Sequence, residues 1–83
     1  MNFAPTVLTQ AEAGDVVRAG MQALASGVTE IDLSGLQRFD STAVAALLAW
    51  RRAAAARGVS LQIAGIPAGL DSLAQLYGVS HLL

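Results

Sequence analysis

Apolar residues recur along this chain with two spacings, and the switches between them mark out its elements. Val17, Met21 and Leu24 stand at i, i+4 and i+7, while Arg18, Gln22 and Ser26 repeat on another face. That is the signature of an amphipathic helix, predicted over Asp15–Ser26 and stopped by Gly27. From Val28 to Leu33 the period becomes short, with Ile31 and Leu33 alternating against polar neighbours before Ser34-Gly35. This predicts a buried strand closed by a turn. Asp40, Ser41 and Thr42 follow, three residue types that cap helices. The next Gly or Pro after them is Gly58. A long helix is therefore predicted over Ser41–Arg57.

In that helix Val44, Leu47 and Leu48 form the stripe expected to face a sheet, flanked by Ala43 and Trp50. Arg51 falls beside the stripe and is expected to snorkel past the sheet edge. The opposite side reads Ala45, Ala46, Ala49, Ala53 and Ala56, with only Arg52 among them. A solvated face normally carries more charge.

Beyond Gly58, Val59, Leu61 and Ile63 alternate with Ser60, Gln62 and Ala64, which predicts a strand with one buried face. Pro67 opens a further helix. Leu70, Leu73 and Tyr77 lie at i, i+3 and i+7, with Leu76 adjacent, and Gly78 ends it. Val79–Leu83 is an apolar tail expected to fold back onto the sheet. At the other end, Phe3–Leu8 reads as a short strand broken by Pro5, which an edge position tolerates. Thr9-Gln10-Ala11-Glu12 is a weak helix start. The order is strand, helix, strand, helix, strand, helix, an α/β arrangement with helices packed on a small sheet.

Eighty-three residues make one domain, here 1–83. Five Arg, no Lys and six acids give a net charge of −1. A nucleic-acid module needs a basic stripe, and an electrostatic membrane anchor needs a basic cluster; both are missing. There is no cysteine, so neither a disulfide nor a thiolate metal site is available. No apolar run reaches the ~20 residues that span a bilayer. The first residues carry neither the basic charge nor the apolar run of a signal peptide, so a cytoplasmic location is expected. The hydrophobic share is 54% against 13% charged. Much of that share is alanine. It is either a composition bias or a surface that a partner covers.

Catalytic chemistry is sparse. The single His81 sits in the apolar tail without a partner for acid–base work and reads as a packing residue. Gly14, Gly20 and Gly27 are too far apart for a phosphate loop. Asp32 and Asp40 are two carboxylates across a turn, which alone are weak grounds for a metal or acid–base pair. No enzyme, no cofactor and no metal are expected. The residue that stands out is Ser41. As a cap it is worth on the order of 1 kcal/mol. Yet no Glu or Gln follows three residues after Asp40, Ser41 or Thr42 to complete a capping box. Three capping residues in a row leave two to explain.

The wording of these stretches carries a resemblance. Asp32-Leu33-Ser34-Gly35-Leu36, then Phe39-Asp40-Ser41-Thr42-Ala43-Val44-Ala45-Ala46-Leu47-Leu48, resembles the STAS domain family. Gly58-Val59-Ser60-Leu61-Gln62-Ile63-Ala64-Gly65 and Leu73-Ala74-Gln75-Leu76-Tyr77-Gly78-Val79 are similar to the same family, and to its MlaB-like branch. The resemblance spans about Val28 to Leu83. It implies a STAS-like small mixed sheet with helices over one face. It also implies a non-catalytic subunit that docks onto the cytoplasmic ATPase of a phospholipid-transport ABC complex maintaining outer-membrane lipid asymmetry.

In that branch the hydroxyl residue at the place of Ser41 contacts the ATPase. In the anti-anti-sigma branch it is phosphorylated, which here would make the chain an anti-sigma-factor antagonist switched at Ser41. For Ser41, then, partner contact, capping and a phosphoswitch all remain open. Arg38, Asp40, Thr42, Ala45 and Ala49 are the further candidates for partner contact. Family members begin with a strand pair, whereas at most one strand fits before the first helix here. The resulting open sheet edge suggests a homodimer or a partner segment.

Overall fold

The computed structural model describes residues 2–83. Its elements in chain order are β1 (Val7–Leu8), α1 (Ala13–Ala25), β2 (Glu30–Asp32), β3 (Arg38–Phe39), α2 (Thr42–Ala56), β4 (Gln62–Ala64), α3 (Ala68–Leu76) and a closing 3₁₀ turn, Ser80–Leu82. The α/β class and the three helices agree with the sequence pattern. The helix over 13–25 starts two residues earlier than the pattern predicts, and β2 and β4 are shorter than expected.

Two features depart from expectation. First, Arg38 and Phe39 form a strand, where the sequence reads as a turn. Second, the segment Phe3–Leu8 is not at an edge. Phe3 pairs with Ile31 of β2, its N–H donating to Glu30 O at 3.0 Å and its carbonyl accepting Asp32 N–H at 2.8 Å. Val7 and Leu8 pair with Arg38 and Phe39 on the other side. The segment therefore runs between β2 and β3 and changes neighbour as it goes. Pro5 sits at the change, where no ladder bond needs its missing N–H. A two-residue β3 has too little pattern to read, and a strand that switches partner looks interrupted in sequence.

The remaining pairing is β2 with β4, Ile31 against Ile63. All named pairings are parallel, so the mixed character expected of the sheet is not found among them. Parallel strands end on the same side. The loops after β1, β2, β3 and β4 accordingly gather at one end of the sheet. Gly65, at φ +70°, brings the loop after β4 against the loop after β2. A Cβ there would sit 2.7 Å from Ser34 N.

The core lies between the sheet and the helices. Leu8, Ile31, Leu33, Leu47, Trp50 and Leu70 are its largest fully buried side chains. α2 lies between α1 and α3 and touches both. Trp50 is the centre of the α1–α2 contact. Its indole N–H donates to Val17 O at 3.1 Å, and its ring meets Phe3 edge-on at 5.5 Å. Gly20 makes this possible, because a Cβ there would fall 2.4 Å from Trp50 Nε1.

The buried stripe of α2 is rotated from the expected one. Ala43, Val44, Ala46, Leu47, Trp50 and Ala54 are buried. Ala46, placed on the outer side by the pattern, is therefore a core residue, and Leu48 turns half outward. Alanine costs nothing to expose and packs closely when buried, so it does not declare a face. On α3, Leu70 and Ala74 are buried, whereas Tyr77 is 55% exposed and Leu76 77% exposed. Tyr77 is thus a surface residue, although its spacing puts it on the stripe of Leu70 and Leu73. His81 is likewise exposed.

The tail does fold back, and Arg51 holds it. Arg51 Nε donates to Leu83 O at 3.0 Å, Nη2 donates to the same oxygen, and Nη1 donates to Leu61 O. β4 uses the backbone of Gln62 and Ala64 to bond β2, through Gln62 N–H to Thr29 O and Ala64 O from Leu33 N–H. Leu61 O therefore faces the free edge of the sheet, and the guanidinium occupies it.

Candidate functional site

The Asp40-Ser41-Thr42 turn lies at the carboxyl end of β3, where α2 begins. In parallel sheets this is where sites are commonly assembled. The turn is held by one side chain. Asp40 Oδ1 accepts Thr42 N–H at 2.9 Å and the Thr42 hydroxyl at 2.5 Å. Its other oxygen, Oδ2, accepts Gln10 N–H at 3.0 Å. Asp40 thus caps α2 and ties it to the loop after β1. The Thr42 hydroxyl, followed by the Gln10 and Thr42 amides, holds the Asp40 carboxyl below its ordinary pKa.

Ser41 is left over. It occupies the position before the first helical residue, yet it makes no side-chain cap bond. Its carbonyl accepts Val44 N–H at 3.2 Å, and the residue is exposed. The capping role weighed for Ser41 therefore belongs to Asp40, whose longer reach from one residue upstream serves both Thr42 donors. What remains is an exposed hydroxyl at the positive end of a 15-residue helix.

The other candidates divide by position. Arg38 is exposed on β3. Ala45 is exposed one turn below Ser41, and Ala49 is half buried at the border of the same face. Thr42 is half buried, with its hydroxyl spent on Asp40. Asp32 stands apart. Its carboxylate accepts Ser34 N–H at 2.9 Å, and that backbone bond, with a contribution from the Ser34 hydroxyl, lowers its pKa. Asp32 and Asp40 are thus two separate turn locks, each with its own donors.

Sequence reasoning missed a second feature. Leu48, Arg51, Arg52, Ala55 and Leu82 line an open groove of about 350 Å³ between α2 and the closing 3₁₀ turn. The signal for it was present: Ser41, Ala45, Leu48, Arg52 and Ala55 are spaced i, i+4, i+7, i+11 and i+14. That spacing makes one stripe down the outer side of α2.

The family model described as "Mlab, STAS domain" matches residues 5–83. The chain belongs to the STAS domain family. Its match is to the MlaB-like STAS model, and it covers every element of the fold. STAS domains are generally non-catalytic interaction and regulatory domains, which suits a surface built of one free hydroxyl and small side chains. No curated protein and no solved structure matched the chain. No helix among the described residues is long and apolar enough to cross a membrane.

Proposed function

We propose that this STAS domain is a non-catalytic subunit that docks onto the cytoplasmic ATPase of a phospholipid-transport ABC complex and supports its assembly or activity. The family match supports the interaction role. The observation that carries the choice of surface is the free Ser41 hydroxyl. Asp40 does the capping, so stability does not require a hydroxyl at 41. The docking surface is then Ser41 with the outward face of α2, Ala45 and the edge of Ala49, flanked by Arg38. Asp40 and Thr42 shape the turn from beneath. Small side chains let a partner backbone approach closely, and Arg38 reaches a partner carboxylate.

In this reading the chain sits in the cytoplasm, joins the membrane through the transporter, and never touches the lipid. Substituting Ser41→Arg tests it. Bulk and charge on the contact are expected to abolish ATPase binding while the circular dichroism spectrum and melting temperature hold. Normal binding by a folded Ser41→Arg protein would put the docking surface elsewhere.

The same free hydroxyl favours a second reading, an anti-sigma-factor antagonist switched by phosphorylation of Ser41. A phosphate there adds about −1.5 to −2 charge at a helix N-terminus, next to the repelling Asp40 carboxylate. A mass shift of the chain after incubation with native lysate and ATP, lost in Ser41→Ala, would favour the switch over transport.

A further inference from the structure

We propose that the groove between α2 and the closing 3₁₀ turn binds a short peptide segment that carries an apolar side chain beside a carboxylate. The inference stands independently of the ATPase reading. The groove lies at the far end of the α2 stripe, about 16 Å along the helix from Ser41 to Arg52. Its apolar part is Leu48, Ala55 and Leu82, the last 49% exposed. Its polar part is two guanidinium groups. Arg51 is committed to the main-chain oxygens of Leu61 and Leu83, so its donors are not free for a ligand. Arg52 is exposed and has neither a hydrogen bond nor an ion pair among the described residues. The one ion pair among them, Arg18 with Asp15, lies on α1.

An apolar trough with the unpaired Arg52 guanidinium at its rim selects its occupant by charge. A carboxylate meets Arg52 in a bidentate pair, and an adjacent leucine-type side chain fills the trough, as in helix-in-groove recognition. A second copy of this chain is the wrong occupant. Symmetric pairing through the groove would bring the unpaired Arg52 guanidinium groups of both copies together. A membrane surface is also the wrong occupant, because the chain has no lysine and a net charge of −1. The groove is open along one side, which suits a peptide more than an enclosed small molecule.

Phage display of random peptides of about 15 residues, roughly four helical turns, tests this on the whole chain. Wild-type protein is the bait, and Arg52→Glu is used for counter-selection. Arg52 is exposed, so the variant is expected to keep its fold, checked by its melting temperature. The enriched peptides are expected to place Asp or Glu within one turn of Leu, Ile or Phe. Synthetic copies should lose roughly tenfold or more in affinity to Arg52→Glu, as for a reversed charge in a contact, and weaken to Leu82→Ala. Binding should also weaken with added salt. Failure of any peptide to enrich over the variant overturns the assignment. So do enriched peptides that are basic or uncharged. Concentration-dependent dimerisation abolished by Arg52→Glu would transfer the groove to a second copy, and Arg52-dependent sedimentation with phosphatidylglycerol vesicles would transfer it to the membrane. Because Ser41 takes no part, loss of ATPase docking leaves this result unchanged.

Discussion

At the residue scale, two residues each hold a place that a different residue type would disturb. Asp40 rather than Ser41 or Thr42 closes the start of α2, because its carboxylate serves Thr42 N–H, the Thr42 hydroxyl and Gln10 N–H together. Asp40→Ala is therefore expected to lower the denaturation midpoint, as the loss of a cap does. Ser41→Ala should change stability by less than about 0.5 kcal/mol, as for an exposed position without a partner. Urea denaturation of the two variants checks this, and equal losses would return the cap to Ser41. The lowered pKa of Asp40 sets a direction as well. A depressed carboxylate stabilises the fold above its unfolded pKa of about 3.9 and loses that contribution as pH falls through the lower folded value. The Gln10 and Thr42 amide resonances should therefore titrate together, with a midpoint below about 3.9.

Gly20 is the second such residue. It is buried in α1 against the Trp50 ring, with no room for a methyl group. Gly20→Ala improves helix propensity but forces Trp50 or α1 to move. Overpacking of this kind typically costs about 1–3 kcal/mol, more than the propensity gain of about 1 kcal/mol. A lower denaturation midpoint is expected; a higher one would mean that α1 shifts freely.

At the element scale, what could be read from the sequence depends on length and on residue size. α1, α2, α3 and the alternation of Val59 to Ala64 were legible, because each repeats its pattern several times. β3 was not, because Arg38 and Phe39 are too few to show a period. The Phe3–Leu8 strand was legible, but its place was not. Pro5 reads as an edge signal, and nothing local shows a strand that changes partner. The α2 face was misjudged at Ala46 because alanine suits either side of a helix. Of the candidate site, the turn and Ser41 were visible as residue types. Which carboxylate or hydroxyl made the cap depended on Gln10, thirty residues away, so it was not.

Arg51 gives this scale its own prediction. It is the tie between α2, the β4 edge and the closing 3₁₀ turn. Arg51→Ala should free the turn while leaving the α1–α2 core intact. Hydrogen exchange is expected to accelerate at the amides of Leu82 and Leu83, whose donors reach Val79 O and Ser80 O, and to stay slow at Leu47 and Trp50.

At the scale of the whole molecule, the parts sort onto different sides. The acids Glu12, Asp32 and Asp40 stand at the carboxyl end of the sheet, while Arg51, Arg52 and Arg57 fall in the last turns of α2 or just past it. Between these ends the outer side of α2 is small and nearly uncharged. A helix with one buried face and one bare face is expected where a second protein completes the packing. The family match gives the kind of domain, and the free hydroxyl stands at the head of that face, where the proposed contact lies.

Affinity purification of the chain from its native cells, with wild type and Ser41→Arg in parallel and mass spectrometry of what is held, tests the docking reading most directly. The expected result is an ABC ATPase with its membrane permease on the wild-type chain and neither on Ser41→Arg. Recovery of a kinase-like anti-sigma factor in their place, or equal recovery of the ATPase by both chains, would contradict it.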